Sequence, residues 1–181
     1  MEKRFRSTTI LGVRTRGSVA IAGDGQVTFG DMALKQKAVK VRRFELETGE
    51  VLGGFAGAAA DAMTLFEKFE KKIEEYEGDL RRAVVELAKE WRTDKYLRNL
   101  DALLALMDKK FSFIVSGDGN VIEPDGPVIA IGSGGGFAQA AATAFLKSTK
   151  LSATEVVERS MKIAAELCIY TNDSITVLEL K

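Results

Sequence analysis

Four residues near the start of the chain, Ser7-Thr8-Thr9-Ile10, place hydroxyl side chains directly before an apolar run. The 181-residue sequence contains no histidine, which excludes Ser-His-Asp and Cys-His sites. An acyl-transfer enzyme of this composition therefore needs another proton carrier. A threonine that becomes the first residue after a short leader is removed has its own α-amino group, whose pKa of about 7.7–8.0 suits a general base. A threonine before an apolar run is otherwise the ordinary start of a strand.

Two charged residues could complete such a site. Asp24 lies in the sequence Gly23-Asp24-Gly25, whose simplest interpretation is a tight turn with a solvated carboxylate. Lys40 lies in a basic run from Lys35 to Arg43, which is typical of a solvated strand face. A carboxylate and an ammonium are also the charges that can tune a hydroxyl nucleophile and its amine base.

Two glycine-rich segments could supply backbone N–H donors. Gly132-Ser133-Gly134-Gly135-Gly136 stands at a strand-to-helix junction but lacks the Gly-Lys-Ser/Thr of a phosphate-binding loop and the spacing of a dinucleotide fingerprint. We therefore do not expect this chain to bind a nucleotide. The segment Gly53-Gly54-Phe55-Ala56-Gly57 is either a packing feature or a place where a substrate carbonyl reaches the backbone.

Composition excludes several classes of protein. The 26 basic and 26 acidic residues give no net charge, which argues against nucleic acid or an anionic membrane as a partner. One cysteine, Cys168, makes an intrachain disulfide impossible and suits a reducing cytosol. The apolar runs are shorter than the ~20 residues of a membrane span. We expect a soluble, cytoplasmic protein.

The hydrophobic pattern predicts strands at both ends of the chain and between two pairs of helices. In the Val39–Leu46 segment, Val39 and Val41 alternate with Lys40 and Arg42, which is typical of a strand with one buried face. The predicted strands are Thr8–Arg14, Ser18–Gly23, Val39–Leu46, Glu50–Ala56, Ala102–Met107, Phe111–Ser116, Asn120–Glu123, Val128–Ile131 and Ser174–Leu180.

Four helices are predicted from apolar spacing and capping residues. The first ends at Gly78, the second is capped by Asp79, the third begins at Gly134-Gly135-Gly136, and the fourth opens with a capping box at Ser152. Their expected buried faces are, in chain order, Phe66, Phe69, Ile73 and Tyr76; Leu80, Ala83, Val84, Leu87, Ala88 and Trp91; Phe137, Ala140, Ala141, Ala144 and Phe145; and Val157, Met161, Ala164 and Cys168. Grouped elements of this kind favour two antiparallel sheets between helical layers in one α+β domain.

Eight segments, in order, resemble the HslV peptidases, the peptidase subunits of the bacterial HslUV (ClpYQ) protease and relatives of proteasome β-subunits. The resemblance covers essentially the whole chain from Thr8 and implies the four-layer αββα sandwich of N-terminal-nucleophile hydrolases. The segments are TTILGVR, IAGDGQ, VKVRR, GGFAGAAADAMTLFEKFE, AVVELAKEWRTD, LLALMD, IAIGSGGGFAQAAA and ELCIYTND.

The resemblance also implies roles for individual residues. Thr8 would be the nucleophile of a threonine-type endopeptidase, and Asp24 its carboxylate partner. Lys40 would be the cation that lowers the pKa values of the amine and the hydroxyl. Ser133 would bind the amine, and Gly54 would donate the oxyanion N–H.

A sodium ion is implied as well, bound through main-chain oxygens of Ala165, Cys168 and Thr171. Family members usually have glycine where this chain has Ala165. The implied partners are other copies of the chain, in a homododecamer of two stacked hexameric rings, and HslU, a hexameric AAA+ ATPase. HslU would bind the ATP and deliver unfolded protein substrates.

The leader MEKRFRS is longer than the initiator methionine of many family members. We expect residues 1–7 to be removed and residues 8–181 to form the peptidase domain. Cleavage at Ser7–Thr8 would use the chain's own hydroxyl, and Ser7 would be the nucleophile if the cut falls one bond earlier. Two alternatives stay open: a small-molecule amidohydrolase of the same fold class, and a non-catalytic structural ring subunit.

Overall fold

The structure is a computed structural model that describes residues 8–100 and 102–180. In these residues the strands are β1 (Thr9–Arg14), β2 (Val19–Gly23), β3 (Val27–Phe29), β4 (Met32–Lys35), β5 (Val41–Leu46), β6 (Gly49–Gly57), β7 (Ala102–Met107), β8 (Ser112–Ser116), β9 (Val121–Ile122), β10 (Val128–Gly132) and β11 (Thr176–Leu180). The helices are α1 (Ala59–Glu75), α2 (Leu80–Thr93), α3 (Gly135–Ser148) and α4 (Ala153–Leu167), with a short 3-10 turn at Leu97–Asn99. The expected leader, residues 1–7, lies outside the described residues.

Two antiparallel sheets form the centre of the fold. One has the strand order β10-β1-β2-β11 and the other the order β5-β6-β7-β8-β9. Strand β1 is internal to its sheet, with Ile10 opposite Ile131 on one side and Gly23 on the other. A separate hairpin of β3 and β4, which is absent from the predicted strands, follows β2. The strand and helix order agrees with the predicted α+β arrangement.

Helices cover the outer face of each sheet and complete four layers. Helices α1 and α2 pack on the five-stranded sheet around Phe44, Phe69 and Trp91. Helices α3 and α4 pack on the four-stranded sheet, where Val157 and Met161 are fully buried. Ile10, Ile21, Leu52 and other apolar side chains fill the space between the sheets. The αββα sandwich expected from the sequence is confirmed.

In helix α2, the local sequence correctly predicts both the buried face and the capping residue. All six residues of its predicted stripe are buried, from Leu80 to Trp91. The Asp79 carboxylate accepts a hydrogen bond from the Arg82 N–H at 3.0 Å and caps the helix. The capping box predicted at Ser152 is also present at the start of α4.

Two predicted burial patterns are wrong. In α3, Phe137 is 44% exposed, and Ala140 and Ala144 are also exposed, whereas Ala138 and Ala142 face the core. Val39 is 67% exposed, because β5 begins only at Val41 and the preceding chain leaves the sheet. The alternation of Val39 with Val41 therefore does not mark one buried face.

The facing sheets approach closely over Gly54. A Cβ atom at this position would lie 2.5 Å from Cγ2 of Ile10 and 3.2 Å from Cδ1 of Ile21, both in the opposite sheet. Packing this tight admits no side chain beyond hydrogen.

In the part of the chain that the structure describes, none of the helices is long and apolar enough to cross a membrane.

Candidate active site

Thr8 stands directly before β1 with only 3% of its surface exposed. Its carbonyl oxygen accepts a hydrogen bond of 2.8 Å from the N–H of Ser133. Gly132 makes this approach possible, because it has a φ of +89° and a Cβ atom there would clash with the Thr8 carbonyl oxygen. The residue predicted as the nucleophile is thus held through its own main chain, directly before an internal strand of the sheet.

Asp24 follows the last residue of β2 and is fully buried. Its Oδ1 atom accepts hydrogen bonds from the N–H of Thr9 at 2.7 Å and from Nζ of Lys40 at 2.9 Å. Its Oδ2 atom accepts the N–H of Gln26 at 2.9 Å. The Gly23-Asp24-Gly25 turn is therefore no solvated loop: it carries a carboxylate into the protein beside the first strand.

Lys40 precedes β5 and is 2% exposed, so it is not a solvated strand residue. Besides the bond to Asp24, its Nζ atom donates to the carbonyl oxygen of Gln26 at 2.5 Å. Burial lowers the pKa of the Lys40 ammonium below the ordinary lysine value, and the neighbouring Asp24 carboxylate opposes that shift. The structure thus joins Thr9, Asp24 and Lys40, one residue from Thr8.

The Thr9 side chain makes a second connection, which the sequence does not predict. Its Oγ1 atom lies 2.7 Å from Oγ1 of Thr171 and accepts the N–H of Gly134 at 3.0 Å. These bonds tie β1 to the turn before α3 and to the segment after α4. Repeated threonines at a strand start carry no signal of such a contact, because Thr171 is 162 residues away in sequence.

Ser133 lies in this turn with an exposed side chain. Its contact with Thr8 is made by the main-chain N–H. The binding of the amine by the Ser133 hydroxyl stays a prediction.

Gly54, expected to donate the oxyanion N–H, has the wrong orientation for that role. Successive residues of an antiparallel ladder turn their N–H groups to alternate sides. The N–H of Phe55 donates to the carbonyl oxygen of Lys40 at 3.1 Å, toward β5. The N–H of Gly54 therefore points the other way, toward its partner Ala105 in β7. We correct the sequence-based assignment: Gly54 is a packing glycine.

Gly57, at the end of β6, has the orientation that Gly54 lacks. It lies two residues beyond Phe55, so its N–H also points toward the β5 side. Strand β5 starts opposite Gly54, and at Ala38 the chain has turned away to bond Gly25. Ala56 lies close to Thr8. A Cβ atom placed on Gly132 would lie 3.4 Å from the Cβ atom of Ala56 and would also clash with the Thr8 carbonyl oxygen.

The expected sodium ligands lie where helix α4 ends. Ala165 is in the last turn, Cys168 is the C-terminal cap, and the N–H of Thr171 donates to the Cys168 carbonyl oxygen at 3.0 Å. Carbonyl oxygens at a helix C-terminus form the negative end of the helix dipole, and oxygen donors suit hard cations. Main-chain oxygens at this helix end are of the kind that binds sodium, and sodium binding by these three residues stays a prediction. Among the described residues no cluster of three His, Cys, Asp or Glu side chains could hold a metal.

Two further polar side chains support the turn that carries Asp24. The Gln26 side chain donates to the carbonyl oxygen of Ile169 at 2.9 Å, and the Asn172 side chain accepts the N–H of Gly25 at 3.0 Å. Both contacts join positions more than 140 residues apart, so no local pattern in the sequence predicts them.

Comparison with known proteins gives two levels of similarity. The family model of the proteasome subunit matches residues 5–180. The crystal structure of eukaryotic HslV from Trypanosoma brucei is 43% identical, with a TM-score of 0.89, and the match covers 96% of this chain and 99% of that chain. Two structures of BPH from Thiobacillus denitrificans, one in complex with epoxomicin, are 20% identical. Their TM-scores are 0.73 and 0.72, and the matches cover 96% of this chain and 98% and 97% of theirs.

The 20% identical structures show a shared fold alone, whereas the other two matches show kinship along nearly the whole chain. The αββα layers agree with that kinship. The chain belongs to the proteasome subunit family, as a peptidase of the HslV type.

Proposed function

We propose that this chain is the threonine peptidase subunit of an ATP-dependent protease, with Thr8 as the N-terminal nucleophile. The observation that carries the proposal is the pair of bonds to Oδ1 of Asp24, which bring Lys40 and the Thr9 N–H together next to Thr8. No histidine exists to serve as the base. An α-amino group on Thr8 supplies that function.

The mechanism begins with removal of residues 1–7, which frees the amine of Thr8. In the peptidase reaction the Thr8 Oγ1 atom attacks the substrate carbonyl while the amine accepts the hydroxyl proton. The amine then returns this proton to the leaving group, and water hydrolyses the acyl-enzyme. Lys40 disfavours a second positive charge nearby and so keeps the amine in its basic form near neutral pH.

The developing oxyanion needs backbone donors. We assign this role to the N–H of Gly57 and the first turn of α1 in place of Gly54. Gly57 has a φ of +132° and is followed by Ala58, whose methyl side chain cannot cap the helix. The N-terminus of α1 is the positive end of the helix dipole, which stabilises negative charge.

The proposed assembly is a homododecamer of two stacked hexameric rings. We propose that a hexameric AAA+ ATPase, HslU, hydrolyses ATP and delivers unfolded proteins to this chamber. The 43% identity to a structure named HslV supports this part of the proposal. A sodium ion bound at Ala165, Cys168 and Thr171 would hold the segment after α4 in place.

The decisive experiment identifies the first residue of the active protein. Intact-mass measurement of the purified, active oligomer should give a chain that begins at Thr8. Fully active material that still carries Met1 contradicts the mechanism. Thr8→Ala should abolish peptide hydrolysis without disturbing assembly, and Thr8→Ser should keep partial activity. Loss of turnover in Ser7→Ala with turnover retained in Thr8→Ala would move the nucleophile to Ser7.

Two measurements separate the alternatives. A casein-type substrate degraded only when the ATPase and ATP are added supports the protease, whereas hydrolysis confined to small amides supports an amidohydrolase. A chain that retains residues 1–7 in assembled rings is the expected property of a structural subunit.

A further inference from the structure

Asn172, in the segment after α4, binds two other parts of the chain through all four hydrogen-bonding positions of its side-chain amide. Its Oδ1 atom accepts the N–H of Gly25 at 3.0 Å and the N–H of Ser174 at 3.3 Å. Its Nδ2 atom donates to the main-chain oxygen of Gln36 at 2.9 Å and to Oε1 of the same residue at 2.7 Å. An amide can accept two and donate two hydrogen bonds, so every position is used.

The amide orientation follows from its partners. The N–H groups of Gly25 and Ser174 can only donate, and the main-chain oxygen of Gln36 can only accept. A flipped Asn172 amide would set donor against donor and acceptor against acceptor. An aspartate or a leucine of similar size would therefore lose at least the bonds to Gln36.

The two segments that Asn172 joins are those that carry the charged pair. Gly25 directly follows Asp24, and Gln36 lies four residues before Lys40. The segments also contact one another, since the N–H of Ala38 donates to the Gly25 carbonyl oxygen at 2.9 Å. A Cβ atom at Gly25 would clash with the Gln36 carbonyl oxygen, so the two main chains pack in direct contact.

We propose that Asn172 is a positioning residue of the peptidase site, which sets the placement of Lys40 and Asp24 relative to Thr8. It acts through Gly25 and Gln36 and needs no contact with substrate. The inference rests on the proposed threonine mechanism, because the pair it positions is the one that tunes the Thr8 amine. The Gln26 side chain and the Thr9 main-chain N–H hold other sides of the same turn, so Asn172 adjusts the pair and is not its sole support.

The test compares Asn172→Ala with Asn99→Ala on assembled oligomers, with the ATPase and ATP present. Asn99 is an exposed asparagine whose side chain donates to the Lys95 carbonyl oxygen, far from the site in sequence. Asn172→Ala should lower kcat about 10- to 100-fold with little change in KM, as expected for misplaced catalytic groups. Asn99→Ala should leave both constants unchanged.

The pH profile of kcat/KM supplies a readout that a purely structural role would not move. Its acid limb reports the Thr8 amine in the free enzyme. If Lys40 moves away, the pKa of the amine rises and the limb shifts to higher pH. The milder variant Gln36→Met removes one exposed acceptor and should give a smaller shift in the same direction, even where Asn172→Ala fails to assemble.

The outcomes for Asn172 and for the threonine mechanism are distinguishable. An Asn172→Ala enzyme with a lowered melting temperature but the parent kcat and pH profile overturns the positioning role, while Thr8→Ala remains inactive. If Asn172→Ala does not assemble, a Gln36→Met profile identical to that of the parent overturns it as well. Turnover retained by Thr8→Ala overturns the proposed function itself.

Discussion

Nζ of Lys40 lies 2.9 Å from Oδ1 of Asp24, and both side chains are removed from solvent. The same carboxylate binds two main-chain N–H groups, from Thr9 and Gln26. A buried pair of this kind is costly to break, because the remaining partner keeps its charge without compensation. Loss of either partner should therefore reduce both the stability of the chain and the proposed activity.

Lys40→Met should destabilise the chain by about 3–5 kcal/mol, since Asp24 is left as an unpaired buried charge. The double variant Lys40→Met with Asp24→Asn should cost less than the two single changes added together. Urea denaturation at one protomer concentration measures the cycle. Arg81→Met serves as the control, because the Arg81–Glu123 pair is about half exposed and is worth less than about 1 kcal/mol. Additive effects at Lys40 and Asp24 would contradict a coupled pair.

Lys40→Met should also lower peptidase turnover by about 10²–10³, the typical effect of removing one electrostatic partner of a transition state. Without the cation the pKa of the Thr8 amine rises, so the acid limb of the profile moves to higher pH. Both effects are tested by measuring the peptidase rates of assembled oligomers across about pH 6–10. This range brackets the pKa of about 7.7–8.0 of a free amine. Activity within a few-fold of the parent would limit Lys40 to a structural role.

Gly132→Ala should inactivate the enzyme and reduce its stability. The new methyl group would clash with the Thr8 carbonyl oxygen, and alanine at a φ of +89° is itself unfavourable. Gly136→Ala is the matched control, because a Cβ atom at this helical position meets no other atom within 4 Å. The control should be neutral or stabilising by up to about 1 kcal/mol. Peptidase assays and thermal unfolding measure activity and stability for both variants. Equal activity and equal melting temperature in the two variants would contradict this prediction.

Gly54→Ala should destabilise the chain by about 1–3 kcal/mol, because the methyl group is forced against Ile10. Ile10→Ala alone should cost about 2–5 kcal/mol through the cavity it leaves. The double variant should be more stable than the sum of these changes predicts, since the new methyl group enters that cavity. Chemical denaturation of the three variants measures the difference, and strict additivity would show that the two residues do not compete for space.

Much of the fold is predictable where apolar residues alternate with polar ones along an element. Helix α2 has a clear stripe and a capping aspartate, and both are confirmed. Helix α3 is rich in alanine on every side, so its sequence contains too little contrast to show which face is buried. Val39 looked equivalent to Val41 because the departure of the chain from the sheet depends on a distant bond between Ala38 and Gly25.

The candidate site was only partly predictable for a related reason. Asp24 and Lys40 can be recognised in the sequence as charged candidates, and the family resemblance implies their catalytic roles. Their pairing in the protein interior depends on tertiary structure that residue types alone do not reveal. The side-chain hydrogen bonds of Asn172 and Thr171 could not be predicted, because their partners in the turn and in β1 lie far away in sequence. Gly54 was misassigned because backbone orientation depends on strand register.

The close approach of Gly54 and Ile10 has a consequence for the natural variation of this family. A side chain larger than hydrogen at position 54 requires a side chain smaller than isoleucine at position 10, or a wider gap between the sheets. A wider gap would move the start of β1 and with it Thr8. Among functional relatives, these two positions should therefore covary, and neither should drift independently while the peptidase activity is under selection.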